Sequence, residues 1–91
     1  MIVVISEKFY LAYCEYQHFD DFERFFSDFN YRLDNDPFHS GTKHPENDRI
    51  WLKTHFCLKE KTYLTIIYTF EDDSAFLYAI SNVPEEREPF G

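Results

Sequence analysis

The stretch YLTIIYTFEDDSAFLYAI, residues 63–80, decides the fold class. Leu64, Ile66, Tyr68 and Phe70 alternate with Tyr63, Thr65, Ile67 and Thr69, a period of two in β-branched and aromatic residues that marks a strand. Glu71, Asp72, Asp73 and Ser74 turn the chain, and AFLYAI (75–80) returns. Residues 63–70 are apolar enough on both sides for a central strand. One step upstream, Ile50, Leu52, Thr54, Phe56 and Leu58 share one face, while Trp51, Lys53, His55 and Cys57 share the other. The triplet KEK (59–61) turns that strand into the next, so residues 49–80 read as an antiparallel meander of three strands.

Further upstream the period changes. In DDFERFFSDFNYRL (20–33), Phe22, Phe25, Phe26, Phe29 and Leu33 fall at spacings of three, four, seven and eleven, one face of a helix. Asp20 is a suitable N-cap, and Glu23 three residues on completes a capping box. Pro37 ends the helix by disfavouring helical geometry at Asp36. Residues 37–48, PFHSGTKHPEND, read as a loop. MIVVI (1–5) suits a buried strand, and KFYLAYCEY (8–16) alternates like a second one. A helix over 8–16 stays open, because Ser6 is a suitable cap. The expected fold is α+β: an antiparallel sheet of four to five strands with one principal amphipathic helix, residues 21–33, packed on one face. Residues 1–82 form the single domain and 83–91 an acidic tail.

Seventeen acidic against nine basic residues leave a net charge of −8, and the basic residues are scattered. Such a chain repels phosphate backbones, so direct nucleic-acid binding is disfavoured and a basic partner favoured. Two glycines, Gly41 and Gly91, exclude a phosphate-cradling loop. MIVVIS is far shorter than the ~20 apolar residues of a membrane span and lacks the architecture of a signal peptide. Cys14 and Cys57 sit in apolar surroundings and read as free, buried thiols of a cytoplasmic protein.

The segments NDPFHSGTK (35–43), DRIWLKTHF (48–56), YLTIIYTFEDD (63–73) and AFLYAI (75–80) together resemble the RelE/ParE toxin family in their order of strands and turns. The resemblance covers roughly residues 35–80. It implies two helices after an opening strand, where the sequence shows one clear helix. It also implies a basic ribonuclease centre, for which Arg49, Lys53 and His55 are the matching positions. The terminal segment EEREPFG stands where that family places basic or aromatic residues.

Other chemistry is thinly supported by the residues. His39 and His44 with Glu46 or Asp48 supply zinc ligands only on paper, since no Cys pair or helix-borne His pair accompanies them. His55 with His44 or Asp48 has the residue types of an acid–base pair for RNA cleavage. Neither expectation competes with the acidic surface. Asp20, Asp21, Glu23 and Asp28 on the helix, Asp34 and Asp36 after it, and Glu71, Asp72 and Asp73 in the turn form the expected partner surface, anchored by Trp51. The expectation is a non-enzymatic acidic binding protein without cofactor, catalytic residue or metal site. It would block a basic, nucleic-acid-acting protein such as a nuclease toxin, in the manner of an immunity protein or antitoxin. A diverged toxin ribonuclease and a dimeric accessory or structural subunit are the alternatives, and monomer and homodimer are both open.

Overall fold

The structure, a computed structural model, describes residues 1–86. The elements follow as β1 (Ile2–Ile5), α1 (Glu7–Tyr16), α2 (Phe22–Asn35), a 3-10 turn (Pro37–His39), β2 (Thr42–His44), β3 (Asn47–Cys57), β4 (Thr62–Glu71) and β5 (Ser74–Pro84). The five strands make one sheet in the order β1-β5-β4-β3-β2. The fold is α+β, as the segregated patterns require. The sheet is mixed rather than purely antiparallel, because β1 runs parallel to β5 while the other neighbours are antiparallel. No helix among the described residues is long and apolar enough to cross a membrane.

The meander forms as its period requires. Trp51 pairs with Tyr68, His55 with Leu64 and Cys57 with Thr62 across β3 and β4. Asp72 and Asp73 make the tight turn between Glu71 and Ser74, with Asp72 at φ 54. Left-handed backbone is open to Asp because its short side chain tolerates it. β5 carries a bulge at Tyr78, so Ile67 faces Ala79 but Tyr68 faces Leu77. The extra residue leaves both Leu77 and Ile80 on the buried face.

Helix α2 lays its Phe stripe on that face. Phe22, Phe29 and Leu33 are wholly buried, and Phe29 meets the Tyr68 ring edge-on at 4.9 Å. Each fully buried aromatic of this kind contributes about 2 kcal/mol of hydrophobic stabilisation. Its start differs from the expected capping box. Asp21, at φ 57, holds the cap position and its side chain makes no cap bond. Asp20 is tied into tertiary contacts instead. Its N–H donates to Glu60 Oε1 at 3.0 Å, and its carbonyl accepts from His55 Nε2 at 2.9 Å.

Residues 8–16 are helix, not strand. Ser6 Oγ accepts from the Phe9 N–H at 3.0 Å, the cap that the helical alternative needed. The same residues that alternate also place Phe9, Ala12, Tyr13 and Tyr16 at helical spacing, and this stripe packs on the core. Tyr10 and Leu11 are left outside, each about 60% exposed. MIVVI is likewise not a buried strand: β1 is the sheet edge, and Ile2, Val4 and Ile5 are exposed. The loop 37–48 is partly ordered, holding the 3-10 turn and β2. The expected acidic tail begins inside β5, which runs to Pro84; Glu85 and Glu86 follow in a turn, and residues 87–91 lie outside the described residues.

Candidate functional site

The carboxylates that the sequence offers as one surface are divided by α2. Its 14 residues hold the two ends of the helix about 20 Å apart. Asp20, Asp21 and Glu23 lie at its start, beside Glu60 of the β3–β4 turn. Lys59, Lys61 and Arg24 share that end, so its charge is mixed. Asp28, midway, is paired with Arg32 at 3.1 Å across one helical turn.

The other end gathers more acids, with the Met1 amine and Arg49 among them. Asp34 and Asp36 come from the close of α2, Glu71, Asp72 and Asp73 from the β4–β5 turn, and Asp48 from the start of β3. Backbone and side-chain bonds bring these segments together. The Ile2 N–H donates to the Asp73 carbonyl at 3.2 Å, and the Met1 amine donates to Asp34 Oδ1 at 3.3 Å. Asp48 and Glu71 line one open hollow of about 570 Å³, with Arg49 also in its wall. Asp36 holds His39 Nδ1 at 2.8 Å. Among the described residues, Asp48, Glu71, Asp72 and Asp73 enter no ion pair. Asp48 escapes a reading of runs along the chain. The antiparallel register finds it, since continuing the Trp51–Tyr68 pairing outward sets Asp48 opposite Glu71.

Trp51 is not the anchor of this surface. It is 8% exposed, with its ring edge-on to Phe70 at 5.2 Å and Lys43 Nζ 5.7 Å from its centroid. Its side of β3 faces the core, so the indole builds the floor rather than the contact. Phe38, in the 3-10 turn directly after Asp36, takes the exposed position. It is 70% exposed and stands over that floor, 6.4 Å from Trp51 and 6.0 Å from Phe70. Tyr31, 67% exposed, lies one helical turn before Asp34 and Asn35.

The turn that carries Phe38 is held from below. The Tyr68 hydroxyl is 2.7 Å from Ser40 Oγ, which itself donates to the Pro37 carbonyl at 2.7 Å. Tyr68 therefore donates in the pair. Burial pushes the Tyr68 phenol up to about 12. Gly41 follows, pressed against the same hydroxyl and the Leu52 carbonyl.

The residues of an acid–base or nuclease centre are not brought together. Arg49, Lys53 and His55 share one face of β3, but six residues of extended chain separate Arg49 from His55 by about 20 Å. The His55 ring stacks on Phe25 at 4.8 Å and its Nε2–H is engaged by the Asp20 carbonyl, so it acts as a clasp between α2 and the sheet. His44 Nδ1 accepts from the Glu46 N–H at 3.0 Å, within its own turn. Among the described residues no three His, Cys, Asp or Glu converge as metal ligands. Cys57 is buried, and burial followed by the charges of Glu60 and Asp20 pushes its thiol up to about 11, the reverse of nucleophile activation. Cys14, expected to be buried, is exposed because α1 turns it outward.

No protein-family model, curated protein or solved structure matches this chain.

Proposed function

We propose that this protein is a non-enzymatic binding protein that docks a basic partner on the end of the sheet formed by Asp34, Asp36, Asp48, Glu71, Asp72 and Asp73. A basic cleft that holds nucleic acid fits such a surface, because carboxylates at this density substitute for phosphates and compete with the polymer. The reading is therefore an inhibitor or immunity-type partner of a nuclease or other nucleic-acid-acting protein. One observation carries it: acids from α2, β3 and the β4–β5 turn collect at the end of the sheet where Phe38 is exposed, and four of them lack an ion-pair partner among the described residues. Charge supplies steering, and the ring supplies the desolvated centre.

Capture from host lysate at low and high salt tests the proposal, with bound proteins identified by mass. A single basic protein, recovered at low salt and lost at high salt, is the expected result. Glu71→Lys combined with Asp73→Lys is expected to weaken that complex at least ~10-fold through slower association, and Phe38→Ala through faster dissociation. Asp72 is left alone because its left-handed backbone would strain a replacement. Undiminished binding by both variants would reject this end of the molecule as the contact.

A further inference from the structure

We infer that the β1 edge pairs with the β1 edge of a second copy, antiparallel, around a two-fold axis through Val4. The two edges of the sheet differ in their protection. β2 carries Lys43 and a bulge between Lys43 and His44, the usual devices that keep an edge from pairing. β1, Ile2–Ile5, carries none: it has no charge, proline or bulge, and Ile2, Val4 and Ile5 are exposed by 57%, 40% and 47%.

The hydrogen bonds to β5 determine which groups remain. Ile2 N–H donates to Asp73 O at 3.2 Å and Ser6 N–H to Leu77 O at 3.1 Å, so the even-numbered residues turn their backbone groups inward. In a parallel ladder the alternate residues, Val3 and Ile5, then turn their N–H and C=O outward. Setting Val3 opposite Ile5 of the second copy, and Ile5 opposite its Val3, pairs all of these outward groups, with Val4 facing its own equivalent. Registers that set an odd residue opposite an even one leave them unpaired. The hydrogen bonding therefore selects a register in which both copies carry their helices on the same side of one continuous ten-stranded sheet.

The neighbouring surfaces agree with this occupant. On the helix side, a wholly apolar hollow of about 210 Å³ opens beside the edge, lined by Ile5, Phe9, Tyr10, Tyr13 and Phe26. The two-fold axis brings this hollow toward its equivalent, so the exposed Tyr10 has an apolar surface to cover. Charge favours a second copy in this orientation too. Residues 1–6 carry no charged side chain, and reversing the strand direction sends the two acidic ends to opposite ends of the dimer. The inference is independent of the acidic contact, which lies at the end of the sheet rather than along its edge.

Sedimentation equilibrium of the chain from roughly 1 to 300 μM, at low and high salt, reads the mass directly. A dimer that tightens with salt is expected, since screening relieves the repulsion between acidic copies. Val4→Lys sets two ammonium groups opposite one another across the axis and is expected to weaken the dimer at least ~10-fold while leaving the monomer folded by circular dichroism. Val4→Glu is expected to do the same, and an equimolar mixture of the two variants to restore dimers containing one of each. Ile5→Pro removes an outward N–H that the monomer does not use and is a second route to the monomer. A wild-type chain that stays monomeric throughout overturns the inference. So does a dimer that Val4→Lys leaves intact.

Discussion

Gly41 shows how much one position decides. A Cβ there would stand 2.5 Å from the Tyr68 hydroxyl and closer still to the Leu52 carbonyl, which cannot move without disturbing β3. Gly41→Ala is expected to cost roughly 1–3 kcal/mol, measured by urea denaturation, and to loosen the turn that presents Phe38. Titration acts at two buried positions. The thiol of Cys57 and the phenol of Tyr68 are both raised in the folded chain, from 9.0 to about 11 and from 10.0 to about 12. A raised folded value means that the unfolded chain loses its proton first. The stabilisation is therefore complete below pH 9.0 and falls away as pH climbs toward 11 for Cys57, then from 10.0 toward 12 for Tyr68. Melting temperature against pH is expected to be set by these groups on the alkaline side, and Cys57→Ala to delay the onset of the decline to the Tyr68 range. An unchanged onset in that variant would show that Cys57 is not its source.

At the scale of elements, Ser6 joins three of them. Its Oγ accepts from Phe9 N–H, donates to the Tyr78 carbonyl at 2.7 Å, and its own N–H reaches Leu77. One side chain thus ends β1, starts α1 and holds both to the bulge of β5. Ser6→Ala is expected to cost about 1–2 kcal/mol in thermal denaturation, at the upper range for a helix cap because a second bond is lost with it. Ser6→Asp, which keeps the acceptor but not the donor, is expected to recover part of that loss. The helix that Ser6 caps is also the element that period alone mistakes. Phe9, Leu11 and Tyr13 fit a strand, while Phe9, Ala12, Tyr13 and Tyr16 fit a helix, and ten residues are too few for either pattern to exclude the other. The meander and α2 are longer and carry one period each, so they were legible without a structure.

For the whole molecule, charge and apolar surface act at different places. Association through the acidic end is expected to weaken with salt, and association through the β1 edge to strengthen, so one salt series separates the two. The sequence by itself determined the α+β class, the meander and its buried face, the Phe stripe of α2, and a surplus of acid. These depend on periodicity and composition, which are local properties of the chain. Only the tertiary structure decided that the acids divide into two ends, that Asp48 joins the C-terminal end of α2, that Trp51 turns inward while Phe38 stands out, and that β1 forms an unprotected edge. Each of these depends on which segments lie side by side. That is set by the order β1-β5-β4-β3-β2 and the burial of the α2 face, in which residues distant along the chain share one core.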